Sequence, residues 1–147
     1  MTQVSVTWQR EDLLLQAEND TGNTLLLDSS VSVGGKNRGA RPLQLLLIGL
    51  AGCTAMDVLS ILQRKREPVE DLQVQVSGEQ AESHPRVFTS LHIEYIVTGN
   101  ISEKAVERAI SLSENTYCPA QAMLRAGTPI TSSYHIIPAA WPCPPLL

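Results

Sequence analysis

The chain is 147 residues long, 43% hydrophobic, 18% charged and only 4% aromatic, and its 15 acidic residues outweigh its 11 basic ones for a formal charge of -4. Phosphate binding needs a basic face and single-strand binding needs stacking rings, so nucleic acid is excluded as the expected partner. A chain of this size buries a sizeable core as one domain, expected over residues 1–137 and followed by a proline-rich tail over 138–147.

Met1 to Ser5 carry no basic stretch followed by an apolar run, so no targeting signal is read there and a cytoplasmic location is expected. Val4, Val6 and Trp8 then alternate with Ser5 and Thr7, the period-two pattern of a half-buried strand. Leu13 to Leu15 begin a second strand, Asn19 to Asn23 a dense turn and Thr24 to Leu27 a third strand, together an antiparallel meander. Ser29 to Arg41 is small and polar, holding Gly34, Gly35 and Gly39 with the basic Lys36, Arg38 and Arg41. It reads as a loop, either a mobile connector or an active-site lid, without the spacing of a phosphate-binding loop.

Pro42 suits the first turn of a helix that runs toward Pro68 and gathers Arg64, Lys65 and Arg66 at its end, where they complement the dipole. Leu45 to Met56 is apolar nearly all round, which predicts a buried helix. The run reads as too short for a bilayer span, which takes about 20 apolar residues. Thr54, Asp57, Ser60 and Arg64 mark one polar stripe. Gly49 and Gly52 each cost about 1 kcal/mol of helix propensity, so they are expected to admit a neighbouring helix, one from a second subunit included.

Leu72, Val74 and Val76 alternate, as do Val87 to Val97, giving two more strands around the polar connector Glu79–Arg86. Ser102 can cap a helix with the apolar stripe Val106, Ala109 and Ile110, continued by Ser113; Pro119 opens a short helix that Gly127 can close, and Thr131 to Ile137 reads as a last strand. Three strands, a long helix, two strands, two helices and a strand predict an α+β fold with largely antiparallel sheets around a long central helix.

Three scattered cysteines in a cytoplasmic chain do not make a disulfide framework. Cys53 sits in the apolar helix, where a cysteine ordinarily packs as a small hydrophobe. Cys118 precedes Pro119 and so falls at a helix N-cap, where unpaired N–H groups and the dipole favour a thiolate. Cys143, between Pro142 and Pro144, reads as an exposed bystander. No CxxC spacing occurs, so neither metal nor cofactor is expected; His84, His92 and His135 read as surface or satisfied groups.

Two segments carry a resemblance: Pro42-Leu43-Gln44-Leu45-Leu46-Leu47-Ile48-Gly49-Leu50-Ala51-Gly52-Cys53-Thr54-Ala55-Met56-Asp57-Val58-Leu59, and Ser113-Glu114-Asn115-Thr116-Tyr117-Cys118-Pro119. They resemble the OsmC/Ohr family of thiol-dependent peroxidases, in its YhfA-like branch, and the likeness covers nearly the whole chain. The resemblance implies an intertwined homodimer with its central helices at the interface. It also implies Cys53 as the peroxide-attacking residue, Cys118 as the resolving one, and an external dithiol reductant, such as a lipoylated protein.

Members active on organic hydroperoxides usually carry Asn-Pro-Glu before the cysteine helix, where this chain has Arg41, Pro42 and Leu43. The carboxylate that would orient an activating arginine is therefore missing, and Arg10 lacks the expected Gly-Arg-Asp-Gly surroundings. Arg38, Arg41 and Arg125 are the candidate activating cations, with Asp57 and the weaker Glu114 as orienting carboxylates. The expected function is a cysteine-based peroxidase in the oxidative stress response that reduces organic hydroperoxides, with no membrane partner. The alternatives are a non-catalytic dimeric protein binding a small apolar ligand, and other thiol chemistry.

Overall fold

The computed structural model describes residues 1–140, which fall into two compact units, one of Met1–Leu46 and one from Leu47 onward. The proline-rich tail from Trp141, Cys143 included, lies outside the described residues.

In the N-terminal unit β1 (Val4–Trp8), β2 (Leu15–Asn19) and β3 (Thr24–Leu27) form the expected antiparallel meander in that order. Its register sets Val6 opposite Ala17 and Gln16 opposite Leu26. The Asn19 side chain builds the second turn, its Oδ1 accepting from the amides of Thr21 and Asn23 at 3.1 and 2.8 Å. Gly22 takes the left-handed φ of 84° that the turn requires. The alternation of β1 is not half-buried as expected: every residue of the strand is exposed. Period two reports a face that needs cover, and a three-stranded sheet without a packed layer leaves that face open.

The long helix α1 (Pro42–Arg64) spans the expected residues. It is not buried all round. Leu50, Thr54, Val58 and Leu62, four residues apart, form its buried stripe, while Leu46, Ile48 and Met56 stay exposed, Met56 at 74%. Thr54, read as part of a polar stripe, is instead fully buried because its hydroxyl turns back to the carbonyls of Leu50 and Ala51, both at 3.1 Å. A Cβ at Gly49 or Gly52 would meet nothing within 4 Å among the described residues. At 23 residues α1 is also long and apolar enough to cross a bilayer, contrary to the length argument. Its buried stripe, rather than its length, marks it as a core helix.

In the second unit β4 (Val69–Gln80), β5 (Phe88–Gly99) and β6 (Ile130–Ile137) lie in that order. The β4–β5 pair is antiparallel, but β5 and β6 run parallel, with Tyr95 opposite Tyr134. A parallel neighbour needs a crossover, and α2 (Glu103–Leu112), a π-helical turn (Ser113–Tyr117) and α3 (Pro119–Arg125) supply it. The sheets are thus antiparallel except at this last pairing, in a mixed α+β fold. Ser102 stands at the N-cap of α2 as expected, yet its hydroxyl makes no capping bond; its amide donates to Glu67 Oε2 at 3.2 Å.

Leu91, Ile93, Tyr95 and Val97 of β5 point inward and join Leu50, Val58 and Leu62 of α1 with Val106, Ala109 and Ile110 of α2 in one core. Because Leu62 is fully buried, Leu62→Ala should cost about 3 to 5 kcal/mol, read from urea denaturation as a lower midpoint at unchanged slope.

Candidate functional site

Cys53 and Asp57 are four residues apart on α1, which places them on one face a turn apart. Cys118 arrives from the opposite direction as the N-cap of α3, its Sγ accepting from the Gln121 amide at 3.4 Å. The two sulfurs and an Asp57 carboxylate oxygen all lie within 4.8 Å of one another. Cys53 and Asp57 are part-exposed, Cys118 is buried, and both thiols are free.

The π-helical turn gives this site its shape. A π turn holds an extra residue and shifts the side chains beyond it, and here it turns the fully buried Ser113 toward α1. Ser113 Oγ donates to Asp57 Oδ2 at 3.0 Å, while its carbonyl accepts from the Cys118 amide at 2.9 Å. One residue thus positions both the carboxylate and the cysteine. Below them Tyr95, fully buried, donates its hydroxyl to Glu114 Oε1 across 3.4 Å. Burial, then the Glu114 charge, raises the Tyr95 pKa, so this hydroxyl stays a proton donor.

At the sequence level the N-cap predicts a thiolate at Cys118, and the structure overturns this. Burial first, then the hydrogen bond with Cys53 and the nearby Asp57 charge, push the Cys118 thiol up to about 11 against the downward pull of the Gln121 amide. A helix terminus is worth about 0.3–1 kcal/mol when exposed, less than the roughly 1.4 kcal/mol of a single pKa unit. Desolvation wins.

The candidate cations are each held by other groups. In the N-terminal unit Arg38 Nε donates to the buried Asp28 at 3.1 Å, and its terminal nitrogens reach Glu11 at 2.8 Å and Asp12 at 3.3 Å. Asp28 also accepts from the amides of Ser29 at 2.8 Å and of Lys36 and Arg38 at 3.1 Å each. Burial alone would raise its pKa; these hydrogen bonds prevail and hold it at about 2. The loop expected as a mobile connector or lid is therefore pinned around one carboxylate. Arg41 Nη2 donates to Asn37 Oδ1 at 3.3 Å, and Arg125 Nη1 to Asn115 Oδ1 at 3.5 Å. Asp28→Asn should speed amide exchange at Lys36 and Arg38 about tenfold or more, the worth of one charged hydrogen bond. Because the folded pKa is depressed, wild-type protection should persist above pH about 4 and fade as the pH falls toward about 2.

Of the sequence candidates, Cys53, Cys118 and Asp57 come together, Glu114 stands one layer away through Tyr95, and Arg38, Arg41 and Arg125 are held by other groups. Sequence reading assigns no site role to Tyr95 or Gln121, places Thr54 in the polar stripe, and shows Ser113 as the end of an apolar stripe and the start of the second family-like segment without giving it a role. The inward register of Tyr95 on a strand of aliphatics was the available signal.

The family model for OsmC-like protein matches residues 35–133, a span holding both thiols, Asp57 and Ser113. The chain belongs to the OsmC-like family. Among OsmC-like relatives, protein YhfA of Escherichia coli K12 is 36% identical over 138 residues, 93% of this chain and 99% of that protein. A hypothetical protein from Aquifex aeolicus VF5 superposes with TM-score 0.83 at 27% identity, covering 95% of this chain and 98% of its own. An organic hydroperoxide resistance protein OsmC from Legionella pneumophila, at TM-score 0.68 and 18% identity over 91% and 96% of the two chains, shares the fold.

Proposed function

We propose that this OsmC-like protein is a cytoplasmic, cysteine-based peroxidase that reduces organic hydroperoxides as part of an oxidative stress response. The observation that carries the reading is the pair of free thiols within 4.8 Å on separate elements, one part-exposed and one buried. Cys53, the accessible sulfur, attacks the distal oxygen as a thiolate; the O–O bond breaks, the alkoxide takes a proton and leaves as the alcohol, and Cys53 becomes a sulfenic acid. Cys118 then attacks that sulfur, water leaves and a disulfide forms. An external dithiol, such as a lipoylated protein, restores both thiols and is itself oxidised to a disulfide.

The working unit is a homodimer. Its support is the exposed apolar side of α1, with Leu46, Ile48 and Met56 beside the bare Gly49 and Gly52, too large an apolar exposure for an isolated surface helix. One equivalent of cumene hydroperoxide added to reduced protein should yield a Cys53–Cys118 disulfide by peptide mass mapping. Absence of the linkage with Cys53 still alkylatable would sink the proposal.

A second reading is favoured by two observations: Leu43 stands where hydroperoxide-active members carry glutamate, and Asp57, an acid, stands beside the thiols. In it the protein binds an apolar ligand without chemistry, as a groove of about 550 Å³ lined by Trp8, Leu13, Leu15 and Leu27 would allow. Ligand binding and cellular phenotype that survive Cys53→Ser would select it.

A further inference from the structure

We propose that Cys53, Asp57 and Cys118 form a binding site for a thiophilic divalent cation of the Zn²⁺ type. The residue spacing in the sequence gives no hint of it, since 65 positions separate the cysteines (118 less 53); the π-helical turn and α3 bring them together. The donor set is two thiols and one carboxylate, all within 4.8 Å. Tetrahedral zinc, with bonds of about 2.3 Å to sulfur and about 2.1 Å to oxygen, wants ligand atoms about 3.5 to 3.8 Å apart. Separations of no more than 4.8 Å leave at most about 1 Å to close by side-chain adjustment.

The surroundings are those of a ligand set. Ser113, fully buried, donates to Asp57 at 3.0 Å and fixes the carboxylate as an outer partner does in metal sites. The Gln121 amide donates to Cys118 Sγ at 3.4 Å, a bond that strengthens once the sulfur is a thiolate. Three groups that are anionic when they ligate stand within 4.8 Å of one another; a dication supplies the compensating charge. Binding displaces one proton from each thiol, so M²⁺ with two S–H groups gives the bis-thiolate complex and two H⁺, with water in the fourth position.

This inference does not rest on the peroxidase reading, and its test uses no hydroperoxide. Reduced Cys143→Ser protein, free of the tail thiol, is titrated with Co²⁺ alone and then with Zn²⁺. The expected result is one Co²⁺ per chain, a thiolate-to-cobalt charge-transfer band, release of about two protons at neutral pH, and full displacement by Zn²⁺. Cys53→Ser and Cys118→Ser should each abolish the band. Asp57→Asn and Ser113→Ala, which keep both thiols and the core, should weaken binding about 10- to 100-fold. No charge-transfer band in the reduced protein, or an affinity unchanged in Asp57→Asn, would overturn the site. Disulfide formation by hydroperoxide in metal-free protein is a separate measurement that either succeeds or fails on its own.

Discussion

Serine at position 53 should abolish hydroperoxide consumption, while serine at position 118 should leave the first turnover intact. The asymmetry follows from burial. Cys53 is the part-exposed sulfur and Cys118 is only 4% exposed, so an incoming peroxide meets Cys53 first. A serine hydroxyl is not ionised near neutrality and attacks no peroxide oxygen, so Cys53→Ser should lose about a thousandfold or more of the rate. In Cys118→Ser carried on a Cys143→Ser background, which removes the third cysteine of the chain, the Cys53 sulfenic acid has no intramolecular thiol to condense with. One equivalent of hydroperoxide should be consumed in a burst, and the product should be captured by dimedone and seen as an adduct on the Cys53 peptide. Both substitutions exchange sulfur for oxygen at nearly the same volume. An unchanged far-UV circular dichroism spectrum would assign the losses to chemistry. Multiple turnovers by Cys118→Ser with a dithiol present would show that the resolving thiol comes from outside the chain.

Much of this site was legible in the sequence, and the part that was not has a physical reason. The helix through Cys53 and the N-cap at Cys118 follow from local rules, Pro42 at the start of one helix and Pro119 at the start of the other, and both stand where expected. The register of β5 follows from alternation, which correctly turns Leu91 to Val97 inward. Ionisation of Cys118 was misjudged because the N-cap is local information whereas desolvation depends on what packs over it. Nor does alternation reveal that β6 joins β5 in parallel, which places the Ser113 turn over α1. Periodicity likewise marks an apolar side without saying what covers it, as the exposed β1 and the bare side of α1 both show. The loop of Arg38 reads as mobile by composition, yet Asp28 fixes it through amides that no pattern of side chains records.

Formation of the Cys53–Cys118 disulfide should accelerate about tenfold per pH unit across neutrality. With its pKa pushed up to about 11, mainly by burial, Cys118 is a thiolate in only about one molecule in ten thousand at pH 7. Attack on the sulfenic sulfur is carried by that thiolate, so its rate should climb about tenfold per pH unit above neutrality until Cys118 is ionised. A jump from acidic to neutral or alkaline pH, starting from preformed Cys53 sulfenic acid and quenched by alkylation, isolates this step from the peroxide reaction. Asp57 contributes the lesser part of the shift, so Asp57→Asn should move the profile to lower pH and speed closure at pH 7 by a few fold. Burial, the dominant cause, survives that substitution, and the variant profile should therefore keep its slope. A rate independent of pH would mean that the neutral thiol performs the attack, with Cys118 held against Cys53 by packing alone.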